Sequence, residues 1–456
     1  MDITFGTDGW RTTVEEFTTP RIRAVGQAVA DYVDAEGIDA PLAVGYDPRD
    51  GSRPAAEELA RVVCASGLNV LLADRDIPTP VVAWTSTDRE LAGALQVTAS
   101  HNPPTYNGIK FIPSDGAPAL PAVTDRLADE LKPPNPRPEA EWGSVREVDL
   151  LEPYFEHALS YVDADLDGLT VAHDAMHGSG RGVTDELLSR AGATVTRLRG
   201  EVDPEFGGTN PEPSAENLDS LVSEVRTGSA ELGIANDGDA DRIAVVTPER
   251  GVVDPNWVLA LLYDHLLETG SGDAVRTVST TFLIDRIAEA NGHTAHETAV
   301  GFKWVAKAMA DHDALLGGEE SGGYGITRHL RNKDGVLLAL VLADAHDTEP
   351  IDDRLDRIRD EHGDIVQNRR SVDCPDDRKK AVLDRLSDGL PDAVAGTEID
   401  RIGRTDGFKL LLEDGSWLLV RPSGTEPKLR VYAEGETDER VEELLSAGVA
   451  LVEPLV

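Results

Sequence analysis

The sequence predicts an α/β protein built in three or four domains. At 456 residues it is too long for a single hydrophobic core, and apolar runs of strand length alternate with helix-like stretches along most of it. From about residue 365 the texture changes to closely spaced strand-like runs, which sets the C-terminal part aside as a smaller α+β unit.

The elements follow in order. Leu42–Tyr46, a helix over 55–66, Val70–Ala73 and a run over 94–97 read as βαβ units. A Pro-rich polar stretch over 132–147 reads as a linker. A second set has strand-like runs at 169–172, 194–196 and 232–235. A third has a helix over 257–267, a run at 277–280 and another ending in Leu315-Leu316. In the last part, Phe408–Leu412 and 417–420 flank Glu413-Asp414-Gly415-Ser416, the pattern of a β-hairpin with an Asp-Gly turn. The helix over 441–451 is read as packing.

Composition narrows the function classes. With 84 acidic against 43 basic residues the net charge is −41, so nucleic acid and anionic membrane are excluded as partners. An apolar share of 40% with interspersed acids argues for folded structure over disorder. The acidity reads as a surface adapted to high salt, where repulsion is screened within about 3 Å at 1 M. No run of 18 apolar residues occurs and Met1-Asp2-Ile3-Thr4 starts no signal-peptide pattern, so the expected location is the cytoplasm, here a halophile's. The two cysteines, Cys64 and Cys374, lie far apart and read as buried thiols in a reducing compartment. Of nine lysines, four (Lys110, Lys303, Lys333, Lys428) fall in the motif segments below. An anionic substrate needs such local positive charge in a chain whose overall field repels it.

Four segments carry chemistry. Thr98-Ala99-Ser100-His101-Asn102-Pro103-Pro104 puts a serine hydroxyl on a tight turn after an apolar run, with Lys110 ten residues on. Asn236-Asp237-Gly238-Asp239-Ala240-Asp241-Arg242 sets three carboxylates at alternate positions, with a glycine to let the backbone turn. Such a cage of hard oxygens suits Mg²⁺ at about 2.1 Å. An EF-hand would need Gly at the sixth place and Glu at the twelfth, which Arg242 and Pro248 hold instead. Gly317-Gly318-Glu319-Glu320-Ser321-Gly322-Gly323 offers acceptors for sugar hydroxyls on a close-approach backbone. Arg421-Pro422-Ser423-Gly424-Thr425-Glu426-Pro427-Lys428-Leu429-Arg430 can surround a phosphate with hydroxyls, an amide and cations.

In this order and spacing the four segments resemble the α-D-phosphohexomutases, and within them the phosphoglucomutase/phosphomannomutase group. Phe5-Gly6-Thr7-Asp8-Gly9-Trp10-Arg11, Gly45-Tyr46-Asp47-Pro48-Arg49, His177-Gly178-Ser179-Gly180 and Glu297-Thr298-Ala299-Val300-Gly301-Phe302-Lys303 add to the resemblance, which runs from residue 5 to about residue 435. It implies four domains around a central cleft: α/β domains over 1–145 (phosphoserine loop), 146–250 (metal loop) and 251–362 (sugar loop), similar to one another with mixed sheets, and a smaller α+β domain over 363–456 (phosphate loop).

The implied reaction interconverts hexose 1-phosphate and hexose 6-phosphate through phosphorylated Ser100 and a hexose 1,6-bisphosphate, which serves as intermediate and activator. One Mg²⁺ per chain would sit on Asp237, Asp239, Asp241 and the Ser100 phosphoryl oxygen. Arg11 and Arg242 match the cations near the transferred group, and Lys110 and Lys333 the proton-handling positions. Glu319 and Ser321 match the sugar ligands. Gly301, with Lys303, joins the substrate site, and Lys303, Arg421, Ser423, Gly424, Thr425, Lys428 and Arg430 match the site of the non-reacting phosphate. His101, beside the nucleophile, is expected to make a phosphate or orienting contact. Asp47 and Arg49 read as a structural ion pair or turn. His173, His265, His293, His296, His312 and His362 have no ligand spacing and read as surface or satisfied histidines.

Two departures bear on specificity. Many mannose- and glucosamine-leaning relatives end the sugar loop in Ser-Gly-His, where this chain has Ser321-Gly322-Gly323, a pattern nearer to glucomutases. Val300 stands where some glucomutases have threonine. The expectation is glucose first, mannose second. The alternatives are a phosphoglucosamine mutase, against which Glu320 and Gly323 argue, and a sugar-phosphate phosphatase. The expected partners are hexose phosphates, and the expected assembly is a monomer or homodimer.

Overall fold

The structure, a computed structural model, describes residues 3–6, 9–424 and 426–456. It holds four sheets. The first is mixed and runs Trp10–Thr13, Tyr106–Pro113, Gly93–Val97, Leu42–Tyr46, Val70–Ala73, Val145–Val148, with the last four strands parallel. The second runs Gly251–Val252, Ile243–Thr247, Leu232–Asn236, Thr170–Asp174, Thr194–Leu198, with its last three strands parallel. The third runs Ala295–Thr298, Ala274–Thr277, Leu316–Glu319, Gly323–Ile326, with its first three strands parallel. Strands such as Leu42–Tyr46, Gly93–Val97 and Leu232–Asn236 are buried at every residue, as helix-covered parallel strands must be.

The same device recurs in all three. A strand of the parallel set turns back into an antiparallel neighbour: Gly93–Val97 into Tyr106–Pro113, Leu232–Asn236 into Ile243–Thr247, Leu316–Glu319 into Gly323–Ile326. The serine, aspartate and sugar loops are these three turns. The fourth sheet is antiparallel throughout, in the order Val366–Asp373, Lys428–Gly435, Trp417–Pro422, Phe408–Leu412, Thr397–Gly403, Ala393–Val394. Its phosphate loop is likewise a hairpin connection, between Trp417–Pro422 and Lys428–Gly435. The Asp414-Gly415 turn forms as read, with Gly415 at φ 81°.

Two sequence expectations shift. The stretch over 132–147 is not wholly linker, because Val145–Val148 pairs with Val70–Ala73 as the edge of the first sheet and carries that sheet past residue 145. The strand expected at 277–280 lies at Ala274–Thr277, and the hydroxyl-rich residues after it form a turn.

One continuous apolar core runs through the first three units, from Ile3 to Ile365, while the fourth has its own. At the centre of the shared core lies helix Gly335–Thr348, buried along most of its length and packed on helices Thr184–Arg190, Leu151–Val162 and Pro255–Thr269. A helix apolar all round has to be enclosed in this way. Its N-terminus delivers Lys333 and Asp334.

Candidate active site

The serine and aspartate turns meet. Ser100 is fully buried and its backbone is left-handed, φ 53°, a conformation that costs a non-glycine residue of order 1–3 kcal/mol and aims its side chain out of the strand direction. Its Oγ donates to Asp237 Oδ2 at 2.7 Å, and His101 Nδ1 lies 3.3 Å from the same oxygen. Gly238 is present for room, not for the turn: a Cβ there would fall 2.6 Å from the Ser100 carbonyl, and it is Ala240 that takes the left-handed bend, φ 54°. Motif 177–180 packs on the other side. A Cβ at Gly178 would lie 2.8 Å from the Gly238 carbonyl, and Ser179 N donates to that carbonyl at 2.9 Å.

The three aspartates lie together, one oxygen of each within 4.8 Å of the others. Their outer oxygens are occupied. Asp237 Oδ1 accepts from Arg242 N (3.1 Å), Asp239 Oδ2 from Lys110 Nζ (2.8 Å) and Thr79 Oγ1 (2.6 Å), and Asp241 Oδ2 from Lys110 Nζ (2.8 Å), with Lys333 Nζ 2.7 Å away. Among the described residues, none donates a hydrogen bond to buried Asp239 Oδ1 or Asp241 Oδ1. Burial, then Asp239 and Asp241, push the Asp237 carboxyl well above the carboxylate range. Burial also works upward on Asp239, but Lys110 and Lys333 outweigh it and hold that carboxyl low. Three buried carboxylates with two unpartnered oxygens are a hard-oxygen donor set that fits a divalent cation such as Mg²⁺.

Arg11 reaches the serine turn by donating to Asn102 Oδ1 at 2.9 Å. Arg242, burial, Arg11 and Lys333 together push the His101 imidazole far below its usual range, so it stays neutral beside Ser100. Lys333 stands next to Asp334, which caps helix Gly335–Thr348 by accepting from Val336 N (3.0 Å) and Leu337 N (2.9 Å). Asp334 also accepts from Tyr154 OH (2.8 Å) and bonds His329 Nε2 (2.7 Å), whose Nδ1 meets His157 Nε2 at 2.9 Å. Trp84 stacks on His157 with ring centroids 4.9 Å apart. All three α/β units thus converge on the residue beside Lys333.

The sugar loop places Glu319 at the end of its strand, accepting from Gly301 N at 2.9 Å; burial and Glu320 push its carboxyl up to about 7. Glu320 is spent on Ser279 Oγ (2.8 Å) and the hydroxyls of Thr277 and Thr280. Ser321 is exposed on the turn, and Lys303 lies in the first turn of helix Phe302–His312. In the phosphate loop, Arg421 donates to Asp406 Oδ2 (3.0 Å), which also accepts from Val300 N (3.3 Å) and so ties this loop to the segment carrying Gly301 and Lys303. Ser423 is buried and its Oγ accepts from Glu426 N at 3.2 Å; Gly424 is exposed. Lys428 and Arg430 both pair with Glu426, at 3.3 and 2.8 Å. Thr425, Thr7 and Asp8 lie outside the described residues.

Sequence reading passed over Thr79, Asp406 and the Tyr154–His157–His329 set. Thr79 and Asp406 sit in no motif segment, and in the last set His329 lies far along the chain from Tyr154 and His157, which share one helix, so only the fold brings the set together. The one available signal was Thr79-Pro80 opening a helix, which marks a helix start and not an aspartate partner.

Four family segments match the chain: phosphoglucomutase/phosphomannomutase alpha/beta/alpha domain I over residues 2–135, domain II over 152–251, domain III over 254–361, and the C-terminal domain over 372–449. A phosphoglucomutase/phosphomannomutase from Thermococcus kodakarensis is 31% identical over 98% of both chains. A protein of Methanopyrus kandleri named a probable phosphoglucosamine mutase is 34% identical over 98% of this chain and 97% of its own. Among solved structures, a provisionally named phosphomannomutase from Thermus thermophilus is 30% identical and superposes with a TM-score of 0.86 over 99% of each chain. With its four segments matched in order and its relatives aligned almost end to end, the chain belongs to the phosphoglucomutase/phosphomannomutase family.

Proposed function

We propose that this enzyme moves a phosphoryl group between O1 and O6 of a hexose, glucose or mannose, through phosphorylated Ser100 and a bound hexose 1,6-bisphosphate. The observation that carries this reading is the Ser100 hydroxyl 2.7 Å from Asp237 in a triad that keeps two buried oxygens without donors.

Asp237, Asp239 and Asp241 would hold one Mg²⁺, which when bound supplies positive charge for the phosphoryl oxygens. The chain's own groups do the rest. Arg11 and Arg242, on the serine and aspartate turns, would offset charge as it shifts between oxygens, and neutral His101 offers the Ser100 oxygen a hydrogen-bond partner. Lys110 and Lys333, buried beside the aspartates, would pass a proton to and from the sugar hydroxyl. Glu319 and Ser321 grip sugar hydroxyls. Lys303, Arg421, Ser423, Gly424, Thr425, Lys428 and Arg430 receive the phosphate that is not reacting, so the sugar can present either end.

The several relatives named phosphoglucosamine mutases favour a second reading, with glucosamine 1-phosphate as substrate. The comparison of rates on glucose, mannose and glucosamine 1-phosphates, with Mg²⁺ and a trace of the bisphosphate, separates the two. Glucose is expected to be fastest. Ser100→Ala should abolish turnover on all three, and mass spectrometry should find phosphate on Ser100 of active enzyme. Retained activity in that variant would end the proposal.

A further inference from the structure

Motif 45–49 has no part in the proposed reaction, yet its arginine makes four hydrogen bonds to carbonyls of the nucleophile's turn. Arg49 is 4% exposed and uses all five of its N–H bonds. Nε donates to Asp47 Oδ2 (2.9 Å), Nη1 to the carbonyls of Pro103 (2.7 Å) and Tyr106 (3.1 Å), and Nη2 to those of Ser100 (2.6 Å) and Asn102 (2.7 Å). Four carbonyls of one turn are thus gathered on a single planar fork. Asp47 fixes the fork in turn, and it also accepts from Ser52 Oγ and Thr98 Oγ1, both at 2.7 Å. Thr98 Oγ1 then accepts from Ser100 N at 2.8 Å, which closes the ring on the nucleophile.

The sequence of the turn fits this role. Pro103 and Pro104 follow the carbonyls of Asn102 and Pro103, so turning those peptides toward Arg49 strands no amide hydrogen on the far side. From the second unit, the buried Phe206 lays its ring 4.8 Å from the guanidinium carbon. The fork is therefore clamped between the serine turn and the unit that carries the aspartates.

We propose that Arg49, oriented by Asp47 and Thr98, is the positioning residue of the nucleophile: it holds Ser100 in its left-handed conformation with Oγ on the aspartate triad. This inference rests on the mutase reading above. Lysine cannot reproduce it, since one ammonium offers three donors from a point in place of five from a plane.

The test is steady-state kinetics of full-length Arg49→Lys with Mg²⁺, bisphosphate and hexose 1-phosphate, with rates expressed per phosphoserine counted by mass spectrometry. A misaimed nucleophile lowers kcat by about 10- to 100-fold while KM moves less than about threefold. The phosphoserine ³¹P resonance should shift as well. Wild-type kcat per phosphoserine in the variant overturns the inference, and so does a loss explained wholly by a smaller folded fraction. Should Arg49→Lys not fold, Thr98→Val, which only cuts the hydroxyl link from Asp47 to Ser100 N, must show the same split, and unchanged kcat there overturns it equally. A wild-type protein without mutase activity overturns the functional reading and this inference together, whereas an active wild type with an unimpaired variant sinks the inference alone.

Discussion

Single residues set the electrostatics of the sugar loop and of the aspartate triad. Glu319 is buried at the mouth of the sugar loop with its carboxyl raised to about 7, because burial and Glu320 disfavour its charge. In the proposed role its ionised form would accept strong charge-assisted hydrogen bonds from sugar hydroxyls and its protonated form weaker ones. KM for hexose phosphate should therefore fall as pH rises through 7, and Glu319→Gln should raise KM by about 10- to 100-fold and erase that inflection. Initial rates between pH 6 and 9 check both; an inflection that survives in the variant belongs to the substrate phosphate. Since the ionised form is the one burial disfavours, the same carboxyl lowers folding stability progressively from its unfolded value near 4.5 up to about 7, and not beyond. At the triad, Thr79 orients Asp239 through its 2.6 Å bond. Thr79→Val should weaken Mg²⁺ activation by about 10- to 100-fold, the usual size of losing a group that orients a metal ligand, read as the Mg²⁺ concentration giving half-maximal rate. An unchanged midpoint would show that the bond from Thr79 to Asp239 does not tune the metal site.

At the scale of elements, the sequence showed what is local and hid what is relational. The loops, the βαβ alternation and the Asp-Gly hairpin are written in contiguous residues, so periodicity and turn chemistry reach them. That three sheets share one strand-and-return device is not visible, because the burial that defines it needs only apolar residues of suitable size and leaves no repeated letters. Val145–Val148 was hidden for another reason: an exposed edge strand takes its pairing from Val70–Ala73, not from its own composition. The same limit conceals the bond between Asp334 and Tyr154, which comes from another unit, although the helix cap on Val336 and the bond to His329 are made within a few residues of Asp334. Tyr154→Phe removes one hydrogen bond and should cost about 1–2 kcal/mol with kcat nearly intact. Asp334→Ala loses the cap and leaves two buried donors unpaired, for a total of about 3–5 kcal/mol, and it frees the residue that sets Lys333, so kcat should fall too. Urea unfolding alongside kinetics distinguishes them; equal kcat losses would show that the helix terminus does not place Lys333.

Over the whole molecule, the first three units are one body and the fourth is docked on it, for the first three share a core and the fourth meets them at a small cluster of Val278, Trp417, Leu419 and Tyr432. Polar ties surround that cluster: Gln367 Nε2 to the Ser279 carbonyl (3.0 Å), Asn256 to Gln367 (3.0 Å), and Glu434 Oε1 accepting from Phe282 N and Trp417 Nε1. At its centre Lys409, 2% exposed, donates to the Val278 carbonyl (2.7 Å) and Glu297 (3.2 Å) and lies 4.0 and 4.2 Å from the Phe282 and Trp417 ring centres. The rings, Glu297 and Glu434 favour its ammonium form, but burial and then Arg276 prevail and bring its pKa down to about 7. Between that value and the unfolded 10.5 the unfolded chain binds the extra proton, so stability must rise with pH across this window and stay flat below it. Lys409→Met keeps the packing, leaves Glu297 paired with Arg276 at 2.8 Å, and removes the titration. Relative to wild type the variant should therefore gain most at pH 6.5, by about 1–3 kcal/mol, with the gap closing by pH 9.5 in urea unfolding. Parallel curves would mean that Lys409 stays charged among its rings, and that the fourth unit is held in place by a cation and not by a neutral amine.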